Sequence, residues 1–298
     1  MDVLSVNRGL KYLDQPFSLH SASSSQHAYL PIVEQSQFIY LDEEPERQVK
    51  RYLDLLFTGA LQVNAPWEFW RPAFDFVSDR LLLKITDAKG LIDWIDTHYD
   101  VHIVYLTRHP IPTALSIIRN RWSPTTSAYL RNETFVAHHL DDRQYAFCRD
   151  LMKKGTVLQQ HVLNWALENR IPLQLLPQRP RWLHLSYEEM ILLPEQVLPA
   201  LARDLELTDL DRMKKIVRSP SRSTKKPSSI YTSTTLPLEQ LRSWQNEVSR
   251  EEQRSLFEIM DMLELSLYRP DSPLPTRWGV IDETRLTARY PGITAFLS

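Results

Sequence analysis

Three groups of residues in this 298-residue chain have types and spacings that could do chemistry. Arg108 closes the run VHIVYLTR and Ser116 follows it in the next segment; a guanidinium and a hydroxyl placed so can grip a phosphate or another oxyanion. Lys84 closes an earlier apolar run, with Thr86 and Asp87 just beyond. Asp87 can take a proton if burial raises its pKa. Asp87 is equally placed to cap the helix that follows. The third group is SASSSQH, residues 21–27: the hydroxyls of Ser23, Ser24 and Ser25, with Gln26 and the backbone amides, can wrap an anion, and His27 or His20 adds a cation only when protonated. His138-His139 with Asp141-Asp142 superficially invites a metal, but adjacent histidines project differently and no third ligand is suggested, so no metal is expected.

These residues need elements to hold them. His102–Thr107 is rich in β-branched and aromatic residues and reads as a buried strand. His109-Pro110 and Ile111-Pro112 break that extended pattern, and Leu115, Ile118 and Trp122 carry a helical spacing, so the sequence spells strand, turn, helix around Arg108. In an open parallel sheet, anionic ligands are held at such a place. Phe17–His20, Gln37–Leu41, Arg80–Ile85 and Trp182–Tyr187 read as further strands, and Ile171–Leu176 as a possible short one. Helical patterns cover Pro45–Leu61, Lys89–Tyr99, Asp142–Asn169, Pro194–Leu207, Leu210–Arg218, Leu236–Asn246 and Ser249–Leu263, the last opened by a Ser249/Glu252 capping box. The stretch between Trp122 and Asp142 reads as a loop or lid, and the aromatic cluster Trp67, Phe69, Trp70, Phe74 and Phe76 as a satellite core or an acceptor pocket. Strand–helix alternation of this kind predicts an α/β protein: a parallel sheet of about five strands flanked by helices, with a helical C-terminal part.

Composition narrows the function classes. Hydrophobic and charged contents of 43% and 24% are ordinary for a globular protein. A net charge of −2 argues against a general nucleic-acid binder, so basic features must be local. The single cysteine, Cys148, allows no disulfide framework. No apolar run approaches a membrane span and the N-terminus lacks the apolar core of a signal peptide, so the expectation is a cytoplasmic protein without a membrane partner. Twenty prolines stand against 6 glycines, none of them in a GxxxxGK or GxGxxG pattern, which argues against standard triphosphatases and dinucleotide enzymes.

Arg108 and Ser116, with a proline-containing turn between them, resemble the 3′-phosphate-binding segment of sulfotransferases, enzymes that use 3′-phosphoadenylyl sulfate as donor. Lys84, 24 positions before Arg108, resembles the lysine at the end of an earlier strand in that family, and YEEM after Ser186 resembles its YED-L or YED-M signature. The resemblance implies a P-loop-like fold over residues 17–268, between an N-terminal arm (1–16) and a Pro-rich tail (269–298). It implies that Arg108 and Ser116 hold the 3′-phosphate, Tyr187 contacts adenine, Lys84 stabilises the transferring group, and Arg222, Lys225 and Lys226 close over the nucleotide. SASSSQH sits where the family's PKSGTT-like 5′-phosphosulfate loop is expected, with Ser23 in place of its cation and Ser25 in place of its glycine. Thr86 takes the position of the base histidine, which leaves Asp87 and, with the loop, His27 as candidates. The function implied is sulfuryl transfer from 3′-phosphoadenylyl sulfate to a hydroxyl or amine on a small molecule, carbohydrate or protein. The alternative is an impaired relative that binds that donor or adenosine 3′,5′-bisphosphate, with a protein partner at the basic loop 218–229 or the tail 270–298.

Overall fold

The computed structural model describes residues 3–20, 25–61, 77–217 and 237–279. It is an α/β protein with four short parallel strands among the described residues, arranged as two pairs. Strand β1 (Leu10–Asp14) pairs with β2 (Arg80–Lys84), so that Asp14 stands beside Lys84. Strand β3 (Val104–Thr107) pairs with β4 (Leu183–Ser186), and the last rung joins Thr107 to Ser186. Parallel pairing brings the carboxyl ends of each pair to the same side, which is where the candidate residues were read.

Helices surround these pairs: α1 (Glu43–Phe57), α2 (Ile92–His98), α3 (Pro110–Arg119), α4 (Thr126–Arg131), α5 (Glu133–His139), α6 (Asp142–Lys154), α7 (Val157–Leu175), α8 (Tyr187–Leu192), α9 (Pro194–Asp204), α10 (Leu210–Val217), α11 (Pro237–Arg242) and α12 (Arg250–Met262). Helix α7 is buried nearly all round, which explains its weak amphipathic pattern. Its Val162, Leu163, Ala166 and Leu167 pack with Ile111 and Ala114 of α3 and with Leu256 and Met260 of α12. A second apolar cluster joins Leu185 of β4 to Val197, Leu198 and Leu201 of α9, and both Leu82 of β2 and Val104 of β3 pack against it. A third places Leu13 of β1 and Phe17 against Val49, Tyr52 and Leu53 of α1.

Several sequence expectations need correcting. The first strand lies inside the stretch assigned to a peripheral arm: LKYLD carries a lysine and an aspartate, yet its Leu13 is buried. Phe17–His20 is no strand; Pro16 accepts the Tyr52 hydroxyl at 2.5 Å and the Phe17 ring meets Phe38 edge-on at 5.2 Å. Gln37–Leu41 forms no ladder either, because Gln35 and Ser36 turn the chain with φ of 50° and 59° just before it. The proposed lid between Trp122 and Asp142 is helical, as α4 and α5, with Asn132 capping α5. Asp142–Asn169 is two helices: Gly155 ends α6, and Thr156 opens α7 with a reciprocal cap to Gln159. Ile171–Leu176 continues α7 through Pro172; burial of Arg170, Ile171 and Pro172 outweighs the roughly 3 kcal/mol that a helix-interior proline costs. Of the expected Ser249 box, Ser249 Oγ accepts from the Glu252 amide. Beyond α12 the chain returns to the body through an antiparallel bridge of Tyr268 with Pro275, and Leu274 is buried. The aromatic stretch 65–76, the basic loop 218–229 and residues 280–298 lie outside the described residues.

Candidate functional site

The carboxyl end of the β3/β4 pair holds Arg108. Its backbone is fixed, because its carbonyl accepts from Trp165 Nε1 at 3.0 Å. The half-buried side chain lays its guanidinium 4.6 Å from the centre of the Tyr187 ring, an arrangement worth about 0.5–1 kcal/mol. Among the described residues no carboxylate lies within ion-pair distance of it.

Beneath this pair is a buried polar cluster. His109 caps α3 by accepting from the Ile111 amide at 3.3 Å, and its ring stacks on Trp244 at 4.6 Å. Burial lowers the His109 pKa to about 3, outweighing the backbone groups of Ser272 and Arg269 that act to raise it, so the imidazole is neutral. Glu188, also buried, accepts from the His109 amide at 3.0 Å and from the Tyr268 hydroxyl at 2.9 Å. Desolvation outweighs those bonds and pushes its pKa up to about 7. Glu189 accepts from the Ser186 amide at 2.7 Å and from the Gly279 amide at 2.8 Å. The Ser186 hydroxyl in turn accepts from the Glu189 amide at 3.1 Å, so SYEE forms a capping box. Gly279 has no room for a side chain: a Cβ there would stand 2.0 Å from the His184 carbonyl oxygen.

The carboxyl end of the β1/β2 pair is organised differently. Lys84 Nζ meets Asp14 Oδ1 at 2.8 Å. Gln15 turns the chain in the left-handed region at φ 54°, donates its amide to the Lys84 carbonyl at 2.9 Å, and offers Oε1 to the Thr86 amide at 3.2 Å. Thr86 Oγ1 lies 2.6 Å from Gln15 Oε1 and 3.0 Å from Asp87 Oδ1. Asp87 is half-buried, and desolvation raises its pKa, opposed by the Thr86 hydrogen bond and the nearby His20. Its expected capping role is not taken up: the 3₁₀ turn before α2 has Ala88 at its cap and no side-chain cap bond. Lys89 pairs instead with Glu168 of α7 at 2.7 Å.

The structure thus joins Arg108 to Tyr187, and Lys84 to Thr86 and Asp87 through Gln15 and the β1/β2 register. Ser116 is half-buried on α3, and no hydrogen bond links its hydroxyl to Arg108 among the described residues. Ser25, Gln26 and His27 lie in the 3₁₀ turn Ser25–Ala28 rather than at the start of a long helix; Gln26 is buried and His27 exposed. The residues that directly follow β1 are Gln15–His20, so SASSSQH lies six residues further from the strand end than a phosphate loop should. Ser23, Ser24, Arg222, Lys225 and Lys226 fall outside the described residues. His139 bonds to the Tyr40 hydroxyl and to Gln174, each at 2.8 Å, and no metal-holding group occurs among the described residues. Nor is any described helix long and apolar enough to cross a membrane.

Two partnerships escaped the sequence reading. Asp14 neutralising Lys84 depends on a strand hidden in LKYLD. His109, taken only as a strand breaker beside Pro110, gave no signal that its amide meets Glu188. Comparison with family models, curated proteins and solved structures found no match.

Proposed function

We propose that this is a sulfotransferase-like protein that binds a 3′-phosphorylated adenine nucleotide, either 3′-phosphoadenylyl sulfate or adenosine 3′,5′-bisphosphate. Arg108 takes the 3′-phosphate, with Ser116 and the basic residues Arg222, Lys225 and Lys226 contributing, and Tyr187 contacts the adenine. This reading joins the two strand pairs in one P-loop-like sheet, an arrangement supported by Leu82 and Val104 sharing an apolar cluster. The observation that carries it is a half-buried guanidinium at a strand's carboxyl end, stacked on a tyrosine and unopposed by a carboxylate at ion-pair distance among the described residues. A cation so placed favours an anionic ligand.

Binding is better supported than transfer. Lys84 is held by Asp14, and the turn after β1 spends its Gln15 amide and side chain on β2 and Thr86. Titration of adenosine 3′,5′-bisphosphate while thermal unfolding is followed tests the reading. Ligand at about a hundred times its Kd adds roughly 2.7 kcal/mol to stability, and no rise in Tm at millimolar nucleotide sinks it.

One observation favours transfer as the second reading: Asp87, with its raised pKa, sits beside Thr86 near the strand end. There an acceptor hydroxyl or amine attacks sulfur in line, the bond from sulfur to the bisphosphate oxygen breaks, and Asp87 takes the acceptor's proton. Transfer of labelled sulfate that persists undiminished in Asp87→Asn rules that role out.

A further inference from the structure

We propose that Glu188 is the positioning residue of the Arg108–Tyr187 pair: its carboxylate ties the β3–α3 turn to the start of α8 and so holds the guanidinium over the ring. The ladder between β3 and β4 ends at Thr107 and Ser186, one residue short of both Arg108 and Tyr187. The next link across is the bond from the His109 amide to Glu188, one residue past each. Two ties, the Thr107–Ser186 rung before the pair and the His109–Glu188 bond after it, fix both backbones in relation to one another.

The second oxygen of Glu188 is fixed from another direction. The Tyr268 hydroxyl donates to it, and the Tyr268 ring packs edge-on to His109 at 5.0 Å and to Trp165 at 6.1 Å. The carboxylate is therefore locked in orientation by the C-terminal segment, which a carboxylate serving only to cap α8 would not require. Glu189 performs that capping. The titratable and charged groups facing Glu188 are His109 and Arg108 from the β3–α3 turn and Tyr268 from the returning segment, with Tyr187 and Glu189 beside it on α8; His184 of β4 faces Glu189. His109 is neutral and Arg108 is the one cation among them, so the charge on Glu188 also opposes the field that Arg108 presents to an anion. Its raised pKa places that opposition near neutrality.

The positioning role stands without a ligand; its consequence for affinity rests on the nucleotide reading above. The test begins with the unliganded full chain. The Arg108 Nε–H signal, identified in a ¹⁵N spectrum by its loss in Arg108→Lys, is displaced by the ring current of Tyr187 and returns to an ordinary position in Tyr187→Leu. Glu188→Gln, whose amide oxygen still accepts from His109, keeps the displaced signal; Glu188→Ala loses it. A displaced signal that survives in folded Glu188→Ala, or a wild-type signal unmoved by Tyr187→Leu, overturns the proposal. Should Glu188→Ala not fold, Tyr268→Phe removes one of the two donors and is expected to shift the signal partway; an unmoved signal there overturns it equally. Calorimetry with adenosine 3′,5′-bisphosphate is the second arm, with about a tenfold loss of affinity expected in Glu188→Ala. Wild-type protein that shows the signal pattern but no nucleotide binding leaves Glu188 in its role and removes the nucleotide reading instead.

Discussion

At the carboxyl end of β1 and β2 the cation, Lys84, faces Asp14 at 2.8 Å, whereas at the carboxyl end of β3 and β4 the cation, Arg108, faces an aromatic ring. The first end is a partly exposed ion pair, of a kind that contributes about 0–1 kcal/mol and whose charge is already answered. The second is supported from below by a buried imidazole kept unprotonated and by a buried carboxyl whose pKa, raised to about 7, leaves it only partly charged near neutrality. An anionic ligand gains more at a cation with no carboxylate at ion-pair distance among the described residues than at one that must first leave its own. Equivalent positions at the ends of parallel strands therefore differ in capacity according to whether the neighbouring strand supplies a counterion.

The contrast can be broken or sharpened by four measurements. The largest effect concerns pH. Glu188, raised from 4.5 to about 7, contributes stability that is full below 4.5 and is lost as pH climbs to 7. His109, lowered from 6.5 to about 3, contributes stability that is full above 6.5 and is lost as pH falls toward 3. Between 4.5 and 6.5 the two slopes oppose and cancel. Glu188→Gln leaves the histidine slope alone, so chemical denaturation should show the variant losing roughly 3 kcal/mol relative to wild type as pH falls from 6.5 to 4.5. Parallel pH profiles for the two proteins would refute the neutral-cluster picture.

Next in size, Arg108→Ala should weaken adenosine 3′,5′-bisphosphate binding by roughly 10- to 100-fold, as expected for a lost charge-assisted contact, while Lys84→Ala changes it about twofold at most. Equal losses in the two variants would erase the distinction between the ends. Gly279→Ala, which drives a Cβ into the His184 carbonyl, should cost about 1–3 kcal/mol in denaturant unfolding; a neutral result would mean that the returning segment is not docked on β4. The smallest effect is expected from Asp14→Asn. Releasing Lys84 should raise nucleotide affinity by about two- to threefold if both ends serve one ligand, and calorimetry showing no gain would assign the ends to separate tasks.

The site was partly legible in the sequence. VHIVYLTR and WLHLSY announce strands because β-branched and aromatic residues crowd them, and Arg108 and Tyr187 follow from where those runs stop. The short helix that SYEE opens, with Ser186 and Glu189 capping it reciprocally, was not read: YEEM stood out only as a signature after a strand. What could not be read is whatever depends on pairing at a distance. LKYLD has neither the length nor the apolar density to stand out, so Asp14 gave no hint that it would answer Lys84. Phe17–His20 and Gln37–Leu41 misled because buried aromatic residues mark a core as readily as a strand; only the ladder tells them apart. The lid failed for the opposite reason, since its polar stretch hid two short helices packed through Ala128, Tyr129 and Phe135.

Both strand pairs are wholly non-local: one joins Leu10 to Arg80, the other Val104 to Leu183, with most of the helices between or beyond them. During synthesis the first pair can close once residue 84 has emerged, while the platform of Arg108 must wait for Tyr187, Glu188 and finally Tyr268. Loop closure makes such contacts slow, so helices such as α7 form first and the β3/β4 end is completed last. A chain truncated before Tyr268 would carry a finished β1/β2 corner and an unfinished β3/β4 one, with Glu188 lacking a donor and Leu185 without the Leu274 side of its cluster. Such a fragment exposes apolar surface during assembly and is the species for which a chaperone would have most to do.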